Sequence, residues 1–517
     1  MSTSSVPPAL FTTINDLRGM DEVVYCEKTH SFFGGEMHCT VPFAMAEYRI
    51  QPSIGQSSFG RTATYRIPKT GDLVHWTYAV IVLPGLKGKE GTGSDICNQV
   101  PTYDSGCADY SKDSEGDEFI AGQAASQFLC NYKINGEKAR WFFDQGPAIA
   151  QQSGPAAQWE HRTATQAAPE EGQHVDDDPT LFKLPSQMKH WGAYINGVGQ
   201  RIIREARFKI GSQSVAELRS DFLFAREELA GRPGKRLDEM VGRRVGDLAG
   251  DVLDHLILDS LQTRFLYVPL PFFWTRAPAH ALSLLHLALA PLEVEIKFAA
   301  LNELLIRSGE NTIIHKWNDT PLRDEDLNCV LSTTHIYLPE SERERMTTHG
   351  NEKMQIIQQV QYFESQLTQT TNTVDLGFNL PTLELMFVVR RQCHEQVNDW
   401  FNYSGIGGLD IVESMALRVN STPLVNAHEG SYYRLVQPYQ FHRLLPRAHI
   451  YTHSFALFPE EMLISGSLNF SRFEHATMHL NLQHGSVSGD EPGYLLVMAP
   501  CWNVLLMQGG GGTVTFA

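Results

Sequence analysis

The chain has 517 residues, of which 42% are hydrophobic and 20% charged, and its formal net charge is −17. This composition is that of a folded globular protein and excludes an extensively disordered one. At roughly 100–200 residues per domain, the length predicts two to four domains. The acidic balance disfavours a protein that coats nucleic acid, because such a surface needs a basic stripe to displace counterions from phosphates.

Cysteine usage and the N-terminal residues indicate where the chain is made. The eight cysteines are scattered, with no C-x-x-C pair, at positions 26, 39, 97, 107, 130, 329, 393 and 501. We therefore expect free thiols in a reducing compartment, with no disulfide framework and no zinc knuckle. The first residues lack a basic region followed by an apolar core, and no apolar stretch reaches ~18 residues. We expect a soluble protein without a signal peptide, made inside the cell.

Strand-like patterns dominate the first two thirds of the chain. Residues 61–84 form two extended runs separated by a Pro-Lys-Thr-Gly-Asp turn. Residues 204–215 alternate apolar and polar side chains around a glycine, which predicts a half-buried strand. Residues 264–274 and 292–301 predict further strands. In the last of these, alternate apolar side chains face one side: Leu292, Val294, Ile296 and Phe298.

The C-terminal third continues this pattern, and helical signals are few. Apolar extended runs separated by turn residues occupy 383–391, 415–424, 449–458, 475–484 and 493–507. Three- and four-residue apolar spacing predicts helices within 216–261, beginning with 216–230. Residues 341–359 are either a second helix or a helical turn followed by a strand. Many strands with few helices favour an all-β protein built from antiparallel sandwiches.

Residues 86–190 differ from their surroundings. They are rich in glycine, serine and glutamine and carry 9 basic against 16 acidic residues. Structureless connections beyond ~15 residues are uncommon in compact domains. We interpret this stretch as an insertion with some structure of its own, ending in a solvated acidic loop.

A search for catalytic or metal-binding motifs returns no candidate. P-loop, H-E-x-x-H and G-x-S-x-G patterns do not occur. His475 with His479, and His449 with His453, are spaced four apart, which is about 13 Å on a strand and too far to share a metal. We expect Cys393–Glu395 to alternate faces of a strand. We therefore predict no catalytic, cofactor-binding or metal-binding residue.

Two further patterns have structural interpretations. Asn-x-Ser/Thr triplets occur at Asn318, Asn402, Asn420 and Asn469. Without a secretory signal we expect them to be unglycosylated. The Gly509–Gly512 run is not followed by a helix that offers its N-terminus to an anion, and it predicts a turn before the closing strand.

Several blocks of the C-terminal part resemble the major capsid protein of nucleocytoplasmic large DNA viruses. GSLNFSRFEHATMHL at 466–480 resembles that family's Asn-Phe-Ser-Arg signature followed by a short strand. HIYTHSFALFPEE at 449–461 and GSYYRLVQPYQFH at 430–442 resemble two preceding blocks. WNVLLMQGGGGTVTFA at 502–517 resembles the terminal Asn-Val-Leu strand, glycine-rich turn and final strand.

The N-terminal part resembles the same family, with the blocks in family order at 23–32, 58–84, 194–215, 266–298 and 336–346. The chain departs from the family pattern at three places. Leu506 stands where the family usually has Arg, and Ser212 replaces the second Gly of the Ile-Gly-Gly block. Gln508–Gly512 replaces the Ser-Gly-Met-Gly-Gly turn.

The resemblance implies a double jelly roll, two tandem eight-stranded antiparallel sandwiches with a long insertion and a few short helices. Residues 1–23 would be an N-terminal arm. Residues 24–345 would form the first jelly roll, including the insertion 86–190 and the helical segment 216–261. Residues 346–517 would form the second. We expect the polar, acidic insertion to form the exposed top of the assembled unit.

The resemblance further implies a non-enzymatic structural protein made late in infection. Three copies would form a pseudo-hexameric capsomer, and capsomers would tile the outer shell of an icosahedral virion assembled in the host cytoplasm. Its partners would be itself, neighbouring capsomers, penton and minor capsid proteins beneath the shell and, indirectly, the internal viral membrane, with no direct nucleic-acid contact. Two alternatives stay open at this point: a double jelly-roll scaffold that shapes a membrane during assembly, and an enzyme or lectin built on a β sandwich.

Overall fold

The computed structural model describes residues 29–30, 36–37, 42–91, 100–103, 190–232, 234–245, 249–347, 352–420 and 422–516. Within these ranges the strands are, in chain order, β1 Thr29–His30, β2 Glu36–Met37, β3 Ala44–Ile50, β4 Thr62–Arg66, β5 Leu73–Leu83, β6 Leu86–Glu90, β7 Gly192–Tyr194, β8 Ile203–Ile210, β9 Gln213–Arg219, β10 Arg264–Pro269, β11 Leu282–Ser283, β12 Leu292–Phe298, β13 Leu305–Arg307, β14 Thr312–Lys316, β15 Asn328–Tyr337, β16 Lys353–Leu367, β17 Thr371–Asp375, β18 Pro381–Thr382, β19 Glu384–Arg391, β20 Val412–Val419, β21 Thr422–Glu429, β22 Tyr451–Ser454, β23 Leu468–Asn469, β24 Ala476–Leu482, β25 Gly493–Gln508 and β26 Gly511–Val514.

The described helices are short. The α-helices are α1 Val198–Ile202, α2 Ser220–Ala230, α3 Asp238–Val241, α4 Ala249–Ser260, α5 Glu340–Thr347, α6 Gln392–Gln396 and α7 Gln437–Phe441. Single turns of 3₁₀-helix lie at Phe273–Thr275, Pro278–His280, Leu301–Glu303, Asp324–Asp326, Ile406–Gly408 and Phe470–Arg472, and a π-helical turn lies at Tyr432–Val436. None of these helices is long and apolar enough to cross a bilayer.

Two pairs of antiparallel sheets share one strand order. Sheet 1A runs β10-β5-β15-β3 and sheet 1B runs β4-β12-β8-β9. Sheet 2A runs β22-β19-β25-β16 and sheet 2B runs β17-β24-β20-β21. Numbered by chain position within each set of eight, the orders are 6-3-8-1 and 2-7-4-5 in both sets. This is the strand order of a jelly roll occurring twice, and the predicted double jelly-roll fold is confirmed.

Strand β12 shows why the alternating runs become half-buried strands. Its side chains alternate between buried and partly exposed along the whole strand, with Leu292, Val294, Ile296 and Phe298 at most 1% exposed. These four side chains face sheet 1A across the sandwich, as their two-residue period requires. The prediction for this strand is confirmed.

Turns divide one predicted run into two strands and place the two strands of another in different sheets. Residues 204–215 do not form one strand, because Gly211 has φ = 62° and the chain reverses there between β8 and β9. Glycine tolerates this left-handed backbone at little steric cost. The two runs within 61–84 are strands, but β4 joins sheet 1B and β5 joins sheet 1A, so the turn between them crosses the sandwich.

The helical predictions are only partly correct. Residues 216–219 belong to β9 rather than to a helix, because they pair with β8 and alternate in burial. Helices α2, α3 and α4 follow within the predicted 216–261 segment. Residues 341–359 contain all of α5 except its first residue and the start of β16, so the alternative of a short helix followed by a strand is correct.

Most of the predicted insertion 86–190 and all of the predicted arm 1–23 lie outside the described residues. The described ends of the insertion are ordered parts of the fold. Strand β6 pairs with β14, and Thr102 bridges to Arg307 next to the β7–β13 pair. The expectation that this insertion forms an exposed top stays a prediction.

The glycine-rich C-terminal run forms the predicted turn. Gln508 pairs with Gly511, which leaves Gly509 and Gly510 as a two-residue loop with φ of 60° and 76°. Such hairpin loops need positive φ at both positions, so two glycines suit them.

Candidate assembly site at the contact between the two jelly rolls

Strand β19 contributes to two hydrophobic cores at once. All eight of its residues are buried. Leu385, Phe387 and Val389 point into the core between sheets 2A and 2B. Met386 and Val388 point the other way and join the hydrophobic cluster of the first jelly roll. The outer face of sheet 2A is therefore covered by the first jelly roll, and the two units are joined by a continuous apolar contact.

The end of strand β9 docks on strand β16 across this contact. The backbone N–H of Arg219 donates to the hydroxyl of Tyr362 at 3.1 Å, and the Arg219 guanidinium lies 4.4 Å from the Tyr362 ring centroid. Arg219 Nη1 also lies 2.6 Å from Glu364 Oε1. A stacked and charge-paired guanidinium fixes orientation better than an ammonium would.

Helix α2 continues the contact with aromatic side chains. Phe224 stacks on Phe401 of the second jelly roll with ring centroids 4.4 Å apart. Nearby, Arg201 lies 3.6 Å from the centroid of the Trp400 ring, whose Nε1 donates to the carbonyl of Glu303 at 2.8 Å. These contacts hold the segment after β19 against the first jelly roll.

A buried ionic cluster lies at the start of α2. Asp221 pairs with Arg390 and accepts a 2.7 Å hydrogen bond from the hydroxyl of Tyr403. Arg390 also donates to Glu395 Oε1 at 2.9 Å and to the Trp400 carbonyl at 2.7 Å. Burial by itself would raise the pKa of Asp221, but the charges of Arg390 and Arg201 outweigh it and hold that pKa below its usual range.

A second buried cluster centres on His442. Its Nδ1 lies 3.0 Å from Glu460 Oε1, and its Nε2 lies 2.9 Å from Glu384 Oε2 in an ion pair. Burial would lower the pKa of His442, but the two carboxylates raise it to about 9. The same two carboxylates act on the half-buried Arg226 of α2, so this cluster also spans the two jelly rolls.

The His442 cluster predicts a defined pH dependence of stability. The folded-state pKa of about 9 lies above the ordinary value of 6.5. The charged imidazolium therefore stabilises the fold fully below pH 6.5, and this stabilisation is lost as the pH rises through about 9. We expect His442→Gln to lower the melting temperature strongly at pH 6 and much less at pH 9.5. Thermal melts of both proteins across this range measure the difference, and a gap that stays constant with pH would contradict the assignment.

The predicted strand over Cys393–Glu395 is wrong, because these residues lie in helix α6. Sheet 2A ends at Arg391, and the run Gln-Cys-His-Glu-Gln lacks the β-branched side chains that favour a longer strand. His394 Nδ1 contacts the carbonyl of Asn402 at 3.0 Å. Within the part of the chain that the structure describes, no group of three His, Cys, Asp or Glu side chains is placed to hold a metal ion.

The histidine pairs lie in unrelated surroundings. His475 contacts Asp375 at 3.2 Å and His479 contacts Thr373 at 2.9 Å, both at the exposed face of sheet 2B. His453 is mostly enclosed, and burial lowers its pKa to about 4. Burial likewise lowers the pKa of His449. None of these arrangements brings two histidines onto one ligand.

The remaining predicted features have local structural roles. Asn318, Asn402 and Asn469 each accept hydrogen bonds from the Ser or Thr two residues later, and Asn420 accepts from the backbone of Glu474. The described cysteines Cys329, Cys393 and Cys501 form no disulfide. Burial raises the pKa of both Cys329 and Cys501 to about 12, which keeps these thiols protonated.

Sequence reasoning did not find the residues that join the two jelly rolls. Asp221 and Arg390 belong to no motif and lie 169 positions apart, and the block 430–442 that contains His442 gave no indication of its carboxylate partners. One signal was available. The nearly uninterrupted apolar run at 383–391 is typical of a strand buried on both faces, rather than of a half-buried one.

The comparisons with known proteins agree over most of the chain. Residues 342–513 match the family described as "Large eukaryotic DNA virus major capsid protein", and residues 180–338 match "Major capsid protein N-terminus". The major capsid protein of Pyramimonas orientalis virus is 25% identical over 345 residues, which cover 62% of this chain and 77% of that protein. That of Paramecium bursaria Chlorella virus 1 is 24% identical over 366 residues, covering 62% and 79%.

The fold is shared with a solved capsid protein of very different sequence. The Faustovirus major capsid protein superposes with a TM-score of 0.63 at 11% identity, covering 95% of this chain and 94% of that one. Residues 180–338 contain strands β7–β15 of the first jelly roll, and residues 342–513 contain the strands of the second. This chain belongs to the family of major capsid proteins of large eukaryotic DNA viruses.

Proposed function

We propose that this chain is the major capsid protein of a large icosahedral double-stranded DNA virus, and that three copies form a pseudo-hexameric capsomer that tiles the outer shell. The repeated strand order carries this proposal, since each chain presents two equivalent sandwiches side by side. Three such chains around a threefold axis present six similar units. The buried contact between the two jelly rolls of one chain supports a rigid unit. A shell built from repeated lateral contacts requires such units.

The same proposal assigns partners and place. The chain associates with itself, with neighbouring capsomers and with penton and minor capsid proteins beneath the shell, and it relates to the internal viral membrane only through them. Its net charge of −17 fits a role without direct nucleic-acid contact. We propose a structural and non-enzymatic role in the virion, with assembly in the host cytoplasm. The proposed units are an arm 1–23, a first jelly roll 24–345 and a second jelly roll 346–517.

Purified mature virus particles test this function. We expect quantitative mass spectrometry to find the chain among the most abundant proteins of the mature particle, because a shell needs many copies of its tile. Immature particles from the same infection are the control. Abundance in immature particles with absence from mature ones would contradict the capsid function and support the membrane-shaping scaffold.

A further inference from the structure

The capsomer requires two surfaces of one chain to meet on neighbouring copies. We propose that the outer face of sheet 1A, here called surface 1, binds surface 2 of the next copy. Surface 2 consists of strand β21 and the exposed side chains within residues 430–445 and 455–465. This inference rests on the proposed capsomer and names the faces that form it. The occupant of each surface is a second copy of this chain.

The contact inside one chain supplies the template. The outer face of sheet 2A receives three elements of the first jelly roll: strand β9, the following helix α2 and the turn Phe273–Thr275. The first two approach sheet 2A directly, as Arg219 contacts Tyr362 of β16 and Asp221 of α2 pairs with Arg390 of β19. The carbonyl of His280, just after that turn, accepts a 2.8 Å hydrogen bond from Gln355 of β16.

The repeated strand order assigns an equivalent to each partner. Sheet 1A of the first jelly roll corresponds to sheet 2A of the second. Strand β21 corresponds to β9 as the fifth strand of its set. Residues 430–445 follow β21 as α2 follows β9, and residues 455–465 follow β22 as the turn Phe273–Thr275 follows β10. Each jelly roll thus carries a receiving sheet face and a set of docking elements. Within one chain, the first jelly roll uses its docking elements and the second uses its receiving face.

Surface 1 is the unused equivalent of a covered face. Strand β19 is buried on both faces, whereas its equivalent β5 exposes Trp76 and leaves Tyr78 and Val82 partly exposed, and the neighbouring β10 alternates between buried and exposed residues. Trp76, Phe265 and Tyr267 point outward and are 43%, 62% and 41% exposed. A cleft of about 210 Å³ lined by Trp76, Tyr78 and Pro269 opens beside this face. Exposed aromatic side chains grouped on one face are typical of protein contacts.

Surface 2 shows the complementary difference. Seven of the eight residues of β21 are exposed, whereas only Ser214 of its equivalent β9 is exposed. The segment after β21 exposes Leu435, Val436 and Tyr439, while the apolar side chains of α2 are covered. Residues 455–465 expose four further apolar side chains, which are Leu457, Phe458, Leu463 and Ile464.

These differences have one common explanation. Surfaces 1 and 2 are different patches, so a contact between them is heterologous and generates either a ring or an open filament. The second jelly roll of one copy and the first of the next copy can be related by the same rotation as the two jelly rolls of one chain. In that case each chain supplies two of six similar units. Three chains then close the ring, and each unused surface of one chain is covered by its neighbour.

Light scattering of surface variants tests the assignment. The wild type is expected at about three times 58.0 kDa. The double variant Phe265→Glu/Tyr267→Glu alters surface 1, and Leu435→Glu/Tyr439→Glu alters surface 2. Each introduces carboxylates into an apolar contact, where burying a charge without a partner is strongly unfavourable. We expect each variant to run as a monomer with an unchanged far-ultraviolet circular dichroism spectrum, because all four side chains are exposed in the isolated chain.

A mixture of the two variants tests whether the contact is heterologous, with surface 1 of one chain bound to surface 2 of another. The surface 1 variant retains surface 2, and the surface 2 variant retains surface 1, so one intact contact remains between unlike chains. We expect a mixture to form heterodimers at about twice 58.0 kDa, while each variant remains monomeric when measured separately. A mixture that stays monomeric at the concentrations where the wild type is trimeric would overturn the pairing of these two surfaces.

A matched control and the wild type distinguish a wrong assignment of the surfaces from a wrong capsomer proposal. Trp317→Glu changes a 59% exposed aromatic residue that lies on neither surface, and it is expected to leave the trimer intact. If the surface variants stay trimeric, the assignment of these surfaces is wrong while the capsomer proposal stands. If the wild type itself is a stable monomer, the proposed capsomer fails.

Discussion

Replacing Asp221 with alanine is expected to lower the free energy of unfolding by about 3–5 kcal/mol. The substitution leaves Arg390 buried without its main carboxylate partner and removes the acceptor of the Tyr403 hydroxyl. Because this cluster joins the two jelly rolls, we also expect their contact to loosen before either sandwich unfolds. Guanidinium denaturation followed by circular dichroism measures the loss of stability.

Two further variants define what the Asp221 result means. The exposed pair between Arg345 and Glu342 is the matched control, and Arg345→Ala is expected to cost less than about 1 kcal/mol. The double variant Asp221→Leu/Arg390→Met removes both charges and should recover much of the stability, since an apolar pair of similar volume often replaces a buried ion pair. A loss of less than about 1 kcal/mol for Asp221→Ala would contradict a role for this pair in holding the two units together.

The Asp221 cluster also predicts sensitivity to acid. The folded-state pKa of Asp221 lies below its ordinary value of 3.8. The ionised carboxylate therefore stabilises the fold at all pH values above 3.8, and this stabilisation is lost as the pH falls through the lower folded-state pKa. The difference in stability between wild type and Asp221→Ala should shrink in that acidic range.

Replacing Trp274 with alanine is expected to cost about 3–5 kcal/mol by creating a cavity in the first jelly roll. Trp274 is completely buried, and its ring centroid lies 4.3 Å from that of Phe208 and 4.6 Å from that of Phe272. Its Nε1 donates to Thr77 Oγ1 at 3.2 Å, so the indole connects both sheets of the sandwich. The midpoint of denaturant unfolding measures this effect.

Trp317 again supplies the matched control for Trp274. Its side chain is 59% exposed at the end of strand β14, so Trp317→Ala removes the same number of atoms without opening an internal cavity. We expect a change within about 0.5 kcal/mol. Equal effects of the two substitutions would mean that the Trp274 packing does not carry the stability assigned to it.

Local patterns predicted the strands best where one face is buried and the other is not. Strand β12 illustrates this, because its alternation of Leu292, Val294, Ile296 and Phe298 with charged residues has the period of a strand. The predictions failed where the backbone reverses or leaves a sheet. Gly211 splits one predicted strand into a hairpin, and Cys393–Glu395 forms a helix where the sheet has ended.

The contacts that position the two jelly rolls were not predictable in the same way. Asp221 and Arg390 are 169 positions apart, and a charge in an apolar run does not identify the charge that will neutralise it. The apolar run 385–389 of β19 indicated burial on both faces, but not which element would cover the second face. Such contacts depend on the relative placement of whole sheets.

Sequence alone was sufficient for the all-β class, for the repeated jelly roll through a resemblance spread over many blocks, and for the family. It was sufficient because strand period, turn residues and block order are local properties of the chain. Only the tertiary structure decided which outer sheet face is covered by the other jelly roll of the same chain and which is exposed. Sheets 1A and 2A have the same strand order, yet the outer face of sheet 2A is covered and that of sheet 1A exposes Trp76, Phe265 and Tyr267. That difference arises because burial is a property of neighbours in space, which the order of residues does not specify.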